Sequence, residues 1–248
     1  MSRIGIIDWG IGGVGIYELI KERMPGVPIS YFSDTGATPY GKMGRRELSS
    51  RLDDVMSYLK GRGVTHVVIG CNAASTAIGD LRDHGIPVLG VIDPAVRMTA
   101  KVRPQNLGLI GGRRTVVSGL HRRSFAKYGI HARGRIAQPL SAFIESGDVG
   151  SDELHRQARR ILKPLRSCSH VLLACTHYPA ILPVLRQHAP SVKFLDPADE
   201  LVSSLRLQKI AGDIGRDEFF TTGDAVLMKR AAKNAFGVSL PSVRRVTL

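Results

Sequence analysis

Short apolar runs alternate with amphipathic stretches along the whole chain of 248 residues. The apolar runs predict strands at residues 4–7, 28–32, 67–70, 88–91, 107–111, 130–136, 171–174 and 193–195. The amphipathic stretches predict helices at residues 12–22, 45–60, 74–83, 116–128, 152–165 and 181–188. Continuous apolar strands that are separated by helices are typical of a parallel sheet covered on both faces. The pattern therefore predicts an α/β fold.

Two segments of the chain resemble each other. Residues 67–75 read VVIGCNAAS and residues 171–179 read VLLACTHYP, which places Cys71 and Cys175 104 positions apart. Each segment contains an apolar strand, a small residue, a cysteine and a predicted helix start. The similarity predicts two pseudo-symmetric α/β halves, each with a thiol at the carboxyl end of a strand. Ligands bind at that edge in open α/β sheets.

The charge distribution adds a strong basic excess. The chain carries 35 lysines and arginines against 21 acidic residues, a formal net charge of +14. Residues 97–170 alone hold 15 of the basic residues and four of the acidic ones. Such a region attracts nucleic acid, an anionic substrate or an anionic partner. We interpret it as a solvated surface and do not expect nucleic-acid binding, because the stretch has no recognised module and no interleaved aromatic residues.

Composition excludes several classes of protein. Hydrophobic residues make up 43% of the chain and charged residues 23%, values that are ordinary for globular proteins. No run of 18 apolar residues is present, so no membrane-spanning helix is expected. The opening MSRIGIIDWGIGG predicts a first strand and not a signal peptide, so we expect a cytoplasmic protein. Three cysteines without a CxxC pair predict neither a disulfide framework nor a metal site.

The two matched cysteines are the strongest chemical signal. A cysteine between a buried strand and a helix lies near a helix N-terminus, where a thiolate is favoured. Two such thiols facing each other would act as acid and base on opposite faces of one carbon and invert a stereocentre. Packing is the alternative for any single buried cysteine. The shared context of Cys71 and Cys175 favours chemistry, whereas Cys168 lacks that context and is predicted to be structural.

Polar residues beside the thiols are candidates to assist them. Asp8 follows the first strand and is placed to accept a hydrogen bond from a substrate ammonium or from the Cys71 thiol, with helix capping as the alternative. His177 lies two residues after Cys175 and is the corresponding candidate there, with a structural histidine as the alternative. Asn72 begins the helix after Cys71, where it would hold a carboxylate or cap the helix. Gly10, Gly12 and Gly15 match the spacing GxGxxG, but so short a glycine pattern is a weak signal by itself, and nicotinamide binding is not expected.

Several motifs carry a resemblance to a known family. They are DWGIGG at 8–13, Asp34 with PYG at 39–41, CNAAS at 71–75, GVIDP at 90–94, PL with ESG at 139–147, and ACTHYP at 174–179. Together these resemble the glutamate racemase family, within the wider aspartate/glutamate racemase superfamily. The resemblance covers nearly the whole chain, and its most specific element is ACTHYP with the upstream CN-x-AS.

The resemblance implies a cofactor-independent isomerase in which two cysteines exchange the α-proton of an amino acid. It implies that Cys71 and Cys175 are catalytic, that Asp8 assists Cys71, and that Glu145 and His177 assist Cys175. Substrate-binding positions implied in the same way are Asp8, Trp9, Tyr40, Gly41, Asn72, Ala73, Thr115, Thr176 and His177. The implied product is D-glutamate for peptidoglycan, and hence for cell-wall biogenesis and cell shape.

The resemblance also implies two α/β domains with the active site in the cleft between them. Residues 1–96 and 200–248 would form the first domain, and residues 97–199 the second. Both sheets would be mainly parallel. A homodimer and a small-molecule substrate are the expected partners, and no cofactor or metal is expected.

Three positions depart from the family pattern. Trp9 stands where the family has serine, and Ala73 and Gly112 stand where it has threonine. The first two changes each remove a hydroxyl, and a hydrogen bond to a charged group contributes about 1.5–3 kcal/mol. A racemase or isomerase with a different acidic substrate is therefore one alternative, for example a maleate-type isomerase or a hydantoin racemase. A catalytically weak paralogue that binds a partner through the basic region is another.

Overall fold

The computed structural model describes residues 2–208, 210 and 215–248. The strands and helices within these ranges alternate along the chain. They are β1 (Ile4–Asp8), α1 (Val14–Arg23), β2 (Ile29–Ser33), α2 (Arg45–Gly61), β3 (His66–Ile69), α3 (Asn72–Ser75), β4 (Val88–Gly90), α4 (Ile92–Val102), β5 (Leu107–Gly111), α5 (Arg113–Ser118), α6 (Leu120–Ala126), β6 (Ala132–Ile136), α7 (Gln138–Glu145), α8 (Asp152–Leu162), β7 (His170–Ala174), α9 (Leu182–His188), β8 (Lys193–Leu195), α10 (Ala198–Arg206), β9 (Glu218–Thr221), α11 (Ala225–Phe236) and β10 (Arg244–Arg245).

The strands form two sheets, which we call the first and the second sheet. The first has the order β10-β9-β2-β1-β3-β4 and the second has the order β6-β5-β7-β8. Every strand pair among the described residues is parallel. The order β2-β1-β3-β4 is repeated as β6-β5-β7-β8, so β3 and β7 occupy equivalent places. The predicted α/β fold class with two similar halves is confirmed.

The central strands form the interior of each half. Every residue of β1 and every residue of β5 is buried, because helices cover both faces of each sheet. One core cluster contains Ile11 from the first half together with Ile144 and Tyr178 from the second. Apolar packing therefore continues from one half into the other.

The predicted domain division stays a prediction, although the membership of the sheets supports it. Strands of the first sheet come from residues 4–90 and 218–245, and strands of the second come from residues 107–195. Helix α4 connects the two sheets on the way out, and α10 follows the last strand of the second sheet. No helix in the described ranges has the length and apolar character needed to cross a membrane.

Two predicted helices differ from the observed ones. A helix over 74–83 was wrong: α3 has only four residues and is followed by a 3-10 turn at Ile78–Asp80. The Thr76 hydroxyl donates to the carbonyl of Ala73 at 2.7 Å, which competes with the helical hydrogen bonds at this end. A single helix over 116–128 was also wrong, because Gly119 has a φ of +67° and separates α5 from α6.

Candidate active site

The predicted site residues lie at the carboxyl edges of the central strands. Asp8 ends β1, and Cys71 comes two residues after β3. Cys175 directly follows β7, while Thr115 lies in the helix that follows β5. In each sheet the chain passes to one side of its first strand and then returns to the other. Ligands bind at such reversal points in open α/β sheets.

Cys175 is the first member of a hydrogen-bonded chain of three side chains. The Cys175 sulfur lies 3.7 Å from His177 Nδ1, and His177 Nε2 lies 2.7 Å from Glu145 Oε2. Glu145 is the last residue of α7, so its carboxylate is held by a helix that also packs on α8. The backbone N–H of Ile11 donates to the same Glu145 oxygen at 3.0 Å, which ties this group to the first half.

The charge state of His177 follows from its two neighbours. Burial lowers the pKa of His177, but the hydrogen bonds and negative charges of Cys175 and Glu145 outweigh burial and leave the pKa well above its ordinary value. An imidazolium donates through both ring nitrogens. A protonated His177 is therefore suited to donate to Cys175 and to Glu145 at the same time.

Asp8 is a fully buried acid that accepts two hydrogen bonds. The backbone N–H of Gly10 donates to Asp8 Oδ1 at 3.2 Å, and the Thr176 hydroxyl donates to Oδ2 at 3.1 Å. Burial raises the pKa of Asp8 to about 6, and the positive charge of His177 partly opposes that rise. A carboxyl group with a pKa near neutrality can hold or release a proton at working pH.

Cys71 experiences a different environment from Cys175. Burial raises the pKa of the Cys71 thiol, and the negative charge of Asp8 raises it further. The backbone N–H groups of Ala74 and Ala73 at the start of α3 favour the thiolate and oppose this rise. The negative charge of Cys175 also raises the pKa of Cys71.

The glycine motif near the N-terminus serves the contact between the halves. A Cβ atom on Gly12 would lie 2.5 Å from His177 Nδ1 and 2.6 Å from Thr176 Oγ1. A Cβ atom on Gly10 would collide with the Glu145 carboxylate. Any larger residue would therefore displace the side chains beside Cys175. The glycines at 10 and 12 let the loop after β1 approach the loop after β7.

Asn72 has a side-chain amide without a hydrogen-bond partner among the described residues. It is buried, and within the described ranges neither its side-chain oxygen nor its side-chain nitrogen has a hydrogen-bond partner. An unpaired buried amide costs about 1–3 kcal/mol, so a group that pairs with it on binding is favoured. Thr115 is buried as well and lies in the first turn of α5, in the second half.

Tyr40 and Gly41 lie in a loop of the first half that faces the second half. The Tyr40 side chain is buried, and its hydroxyl donates to Asp34 at 2.9 Å. Asp34 also pairs with Arg51 at 2.6 Å. These bonds fix the loop, and a Cβ atom on Gly41 would lie 3.7 Å from Gln138 Oε1 of the second half. Contact with a ligand here would involve the backbone of the loop more than the phenol.

The three positions that depart from the family pattern have distinct surroundings. The Trp9 indole is half-buried and donates to the carbonyl of Ala37 at 3.1 Å. Trp9, Cys71 and Ala73 all pack on one apolar cluster of the first half. At Gly112, a Cβ atom would lie 2.9 Å from Gln138 Oε1, so the Gln138 carboxamide takes the space beside this residue.

Reasoning from the sequence missed three residues that border the site. Gln138 accepts a hydrogen bond from the backbone N–H of Arg113 at 3.1 Å. The proline that follows Gln138 lies in the first turn of α7 and was the sequence signal for a helix start at this place. The Tyr178 hydroxyl donates to the carbonyl of Ala137 at 2.9 Å. Tyr178 also lies beside Cys175, because its backbone N–H donates to the Cys175 carbonyl at 3.2 Å. Burial raises the pKa of its phenol, and the charge of Cys175 raises it further. Arg114 donates to Thr76 of the first half and precedes Thr115, which the resemblance implies as a substrate-binding residue.

Two polar residues near the motifs have structural roles. The Ser75 hydroxyl donates to the carbonyl of Ile69 at 3.3 Å and accepts from the N–H of Val91 at 3.2 Å, which ties α3 to the neighbouring strands. Cys168 is buried in the core. Within residues 2–208, 210 and 215–248, no group of three or more His, Cys, Asp or Glu side chains is arranged to hold a metal ion.

Comparison with known proteins identifies the class to which this fold and site belong. Residues 4–205 match the model of the Asp/Glu/hydantoin racemase family, so the chain belongs to that family. The predicted enzyme class, a racemase and hence an isomerase, is confirmed.

Individual relatives are more specific. A glutamate racemase of Synechococcus sp. is 36% identical over 204 residues, which cover 79% of this chain and 75% of the relative. The crystal structure of a glutamate racemase isoform, RacE1, from Bacillus anthracis matches with a TM-score of 0.89 and 26% identity, covering 100% of this chain and 98% of that one. The glutamate racemase of Francisella tularensis, solved in complex with D-glutamate, shares the fold with a TM-score of 0.90 at 22% identity, over 99% and 97% of the chains. The resemblance to glutamate racemases that the motifs predict is confirmed.

Proposed function

We propose that this protein interconverts L- and D-glutamate by proton transfer between two cysteines, without a cofactor. One thiolate takes the proton from Cα, and the electron pair of the broken C–H bond stays on Cα and the adjoining carboxylate. The other thiol delivers its proton to the opposite face, so the configuration inverts and the second sulfur becomes a thiolate. The observation that carries this proposal is the equivalent placement of Cys71 and Cys175 after β3 and β7.

The surroundings of the two thiols support different resting roles. Cys175 lies 3.7 Å from an imidazole that favours the protonated form, which suits a thiolate base. The pKa of Cys71 is raised by burial and by Asp8, which suits a thiol acid. Asp8, with a pKa raised to about 6 by burial, is the group that would receive or supply a proton on this side. After one turnover the proton has moved from one sulfur to the other.

Recognition of the amino-acid head group is assigned to polar residues around the cleft. The buried amide of Asn72, which has no partner among the described residues, supports a role in binding the α-carboxylate or the ammonium. Thr176 donates to Asp8 and would share that carboxylate with a substrate ammonium. Thr115 and His177 complete this part of the set. Tyr40 and Gly41, in the loop opposite Gln138, would hold the distal carboxylate.

Glutamate is the proposed substrate because the relatives described above are glutamate racemases. The physiological product would then be D-glutamate for peptidoglycan, in a cytoplasmic enzyme. Homodimerisation also belongs to the proposal. A different acidic substrate is the second candidate, since Trp9 and Ala73 stand where the family pattern has residues with hydroxyl groups. The Trp9 indole is held in place by its hydrogen bond to the carbonyl of Ala37.

Solvent deuterium incorporation at Cα tests the proposal directly. The protein is incubated in D₂O with single enantiomers of glutamate, aspartate and other amino acids, and the α-proton signal is followed by NMR. Exchange with inversion of glutamate is the expected result. Cys71→Ser and Cys175→Ser should each lower racemisation by about 100-fold or more, whereas Cys168→Ser, a buried cysteine outside the cleft, should retain it.

Other outcomes would redirect the assignment. Exchange with an acid other than glutamate would favour the second candidate. In that case Trp9→Ser combined with Ala73→Thr should raise turnover of glutamate. No exchange with any amino acid would overturn the racemase proposal, and assays with unsaturated diacids would then test an isomerase on the same scaffold.

A further inference from the structure

Arg114 joins the two halves of the molecule across the mouth of the cleft. It is the second residue of α5, which follows the second sheet's strand β5. Its Nε donates to the Thr76 hydroxyl at 2.7 Å, and its Nη1 donates to the carbonyl of Met43 at 2.8 Å. Both acceptors belong to the first half. The guanidinium therefore lies between the halves and not on the outer surface of its own helix.

The positive charge of Arg114 is only partly compensated. Its two acceptors are neutral, and within the described part of the chain no carboxylate lies within salt-bridge distance of it. The nearby Asp80 is already held by two nitrogens of Arg45. Burial lowers the pKa of Arg114, and the charge of Arg45 lowers it further. Such a half-buried cation is stabilised when an anion enters beside it.

The guanidinium also retains unused donors. Its Nη2 makes no hydrogen bond to another described residue, so this nitrogen still has N–H donors to offer to a carboxylate. Hydrogen bonds from a charged guanidinium to a carboxylate are stronger than those between neutral groups. The free Nη2 therefore suits an acidic ligand group.

The position of Arg114 relative to the thiol and the loop is specific. Thr76 directly follows α3, the one-turn helix that begins after Cys71, and the charge of Cys71 is felt at Arg114. Met43 lies two residues after Gly41, in the loop to which the proposed function assigns the distal carboxylate. The guanidinium thus contacts both the segment that follows Cys71 and the loop that contains Gly41.

We propose that Arg114 is a substrate-specificity residue, whose guanidinium binds the distal carboxylate of the amino-acid substrate from the second half of the protein. This inference rests on the proposed racemase function and refines it. A charged donor here would replace part of the binding that the changes at Trp9, Ala73 and Gly112 remove. A substrate bound there would be linked to both halves, because the same side chain contacts the first half through Thr76 and Met43.

The test compares a charged and a neutral side chain on the substrate. Binding of D-glutamate and of D-glutamine to the wild type and to Arg114→Met is measured by calorimetry, and kcat and KM are measured where turnover occurs. We expect Arg114→Met to weaken glutamate binding by about tenfold or more and to change glutamine binding by less than about threefold. Arg114→Lys should recover part of the loss, since it restores the charge without the fork.

Arg113→Met is the matched control, because Arg113 is the exposed neighbour on the same short helix. Its loss of charge should leave the glutamate-to-glutamine preference unchanged. If Arg114→Met weakens both ligands equally, or lowers only thermal stability, Arg114 is a structural bridge and the inference is overturned. Absence of glutamate binding in the wild type also overturns it. Failure of the proposed function itself is recognised separately, by wild-type binding without any exchange at Cα.

Discussion

His177 and Glu145 are joined by a 2.7 Å contact between Nε2 and Oε2. The same Glu145 oxygen receives the backbone N–H of Ile11 from the other half of the molecule. The imidazole ring is consequently fixed from one side by a carboxylate while its other nitrogen faces Cys175. Second partners of this kind set the orientation and the protonation of a histidine.

Replacing Glu145 with glutamine should shift the pH dependence of the reaction. Burial lowers the pKa of His177, and the bonds to Cys175 and Glu145 hold it well above the ordinary value. Loss of one negative charge lowers the pKa of His177, so the ring loses its proton at a lower pH than in the wild type. We expect the alkaline limb of the kcat profile to move to lower pH and kcat at about pH 8 to fall by about tenfold or more.

The check is a kcat profile together with an NMR titration of the His177 ring. Glu153→Gln is the control, since Glu153 lies on α8 outside the cleft and pairs with Arg156. An unchanged alkaline limb in Glu145→Gln would show that the carboxylate does not support the charge of His177.

Asp8→Asn should stabilise the folded protein while it abolishes racemisation. Burial raises the pKa of Asp8 from 3.8 to about 6, so the folded state favours the protonated acid. That preference stabilises the fold below the unfolded-state pKa and is lost as the pH rises through about 6. Above that pH the buried charge costs up to about 3 kcal/mol, and asparagine removes it.

Urea unfolding at about pH 8 and about pH 4 measures this effect. The variant should exceed the wild type in unfolding free energy at the higher pH, by about 1–3 kcal/mol, and the difference should shrink at the lower pH. Asp93→Asn, at an exposed carboxylate in the first turn of α4, should show no such pH-dependent gain. A variant less stable than the wild type at both pH values would contradict the prediction.

Gly12→Ala should damage the site through one methyl group. The added Cβ would lie 2.5 Å from His177 Nδ1 and 2.6 Å from Thr176 Oγ1, so the side chains beside Cys175 must move. We expect a loss of about 1–3 kcal/mol in stability from overpacking. Displacement of about 1 Å at the reacting groups costs on the order of 100-fold in kcat.

Gly61→Ala provides the comparison for this substitution. Gly61 ends α2, and a Cβ atom there meets nothing within 4 Å. It should be neutral in activity and neutral or slightly favourable in stability. If the two alanine variants behave equally in deuterium exchange and thermal unfolding, the close approach of the loop after β1 to the loop after β7 is not required for activity or stability.

Gly112→Thr restores the family residue, yet it should destabilise this protein. Its Cβ would lie 2.9 Å from Gln138 Oε1, which also accepts the N–H of Arg113 at the start of α5. Because the contact is with the exposed end of a flexible side chain, the single change should cost no more than about 1 kcal/mol. Gln138→Ala made at the same time should relieve the clash, so a double-mutant cycle in urea should give a coupling of about 0.5 kcal/mol. Strictly additive effects would mean that the two positions do not compete for space.

The sequence predicted the strands better than the helices. Strands at 107–111 and 193–195 match the observed bounds. The first is a buried parallel strand, which is a short continuous apolar run. Helices α4, α7, α10 and α11 were not predicted. The αL conformation of Gly119 that divides α5 from α6 depends on the backbone and leaves the apolar period unbroken.

The site could be predicted in part for similar reasons. Motifs placed the thiols correctly, because a cysteine after a parallel strand must lie at the ligand-binding edge. The partners of those thiols depend on contacts between distant segments. Glu145 reaches His177 and Ile11 only when α7 packs beside the loop after β1. Local pattern carries no information on the cross-cleft bonds of Arg114 to Thr76 and Met43.

The repeated strand order has a stereochemical meaning. In the proposed mechanism, exchanging the places of β3 and β7 would also exchange Cys71 with Cys175, and so interchange the two directions from which a proton reaches a planar carbon. Mirror-image substrates differ in that same approach direction. An enzyme with matched halves would thus bind both enantiomers in nearly equivalent ways. The unlike partners, Asp8 on one side and the His177–Glu145 pair on the other, would make the two protonation states of the free enzyme unequal in energy.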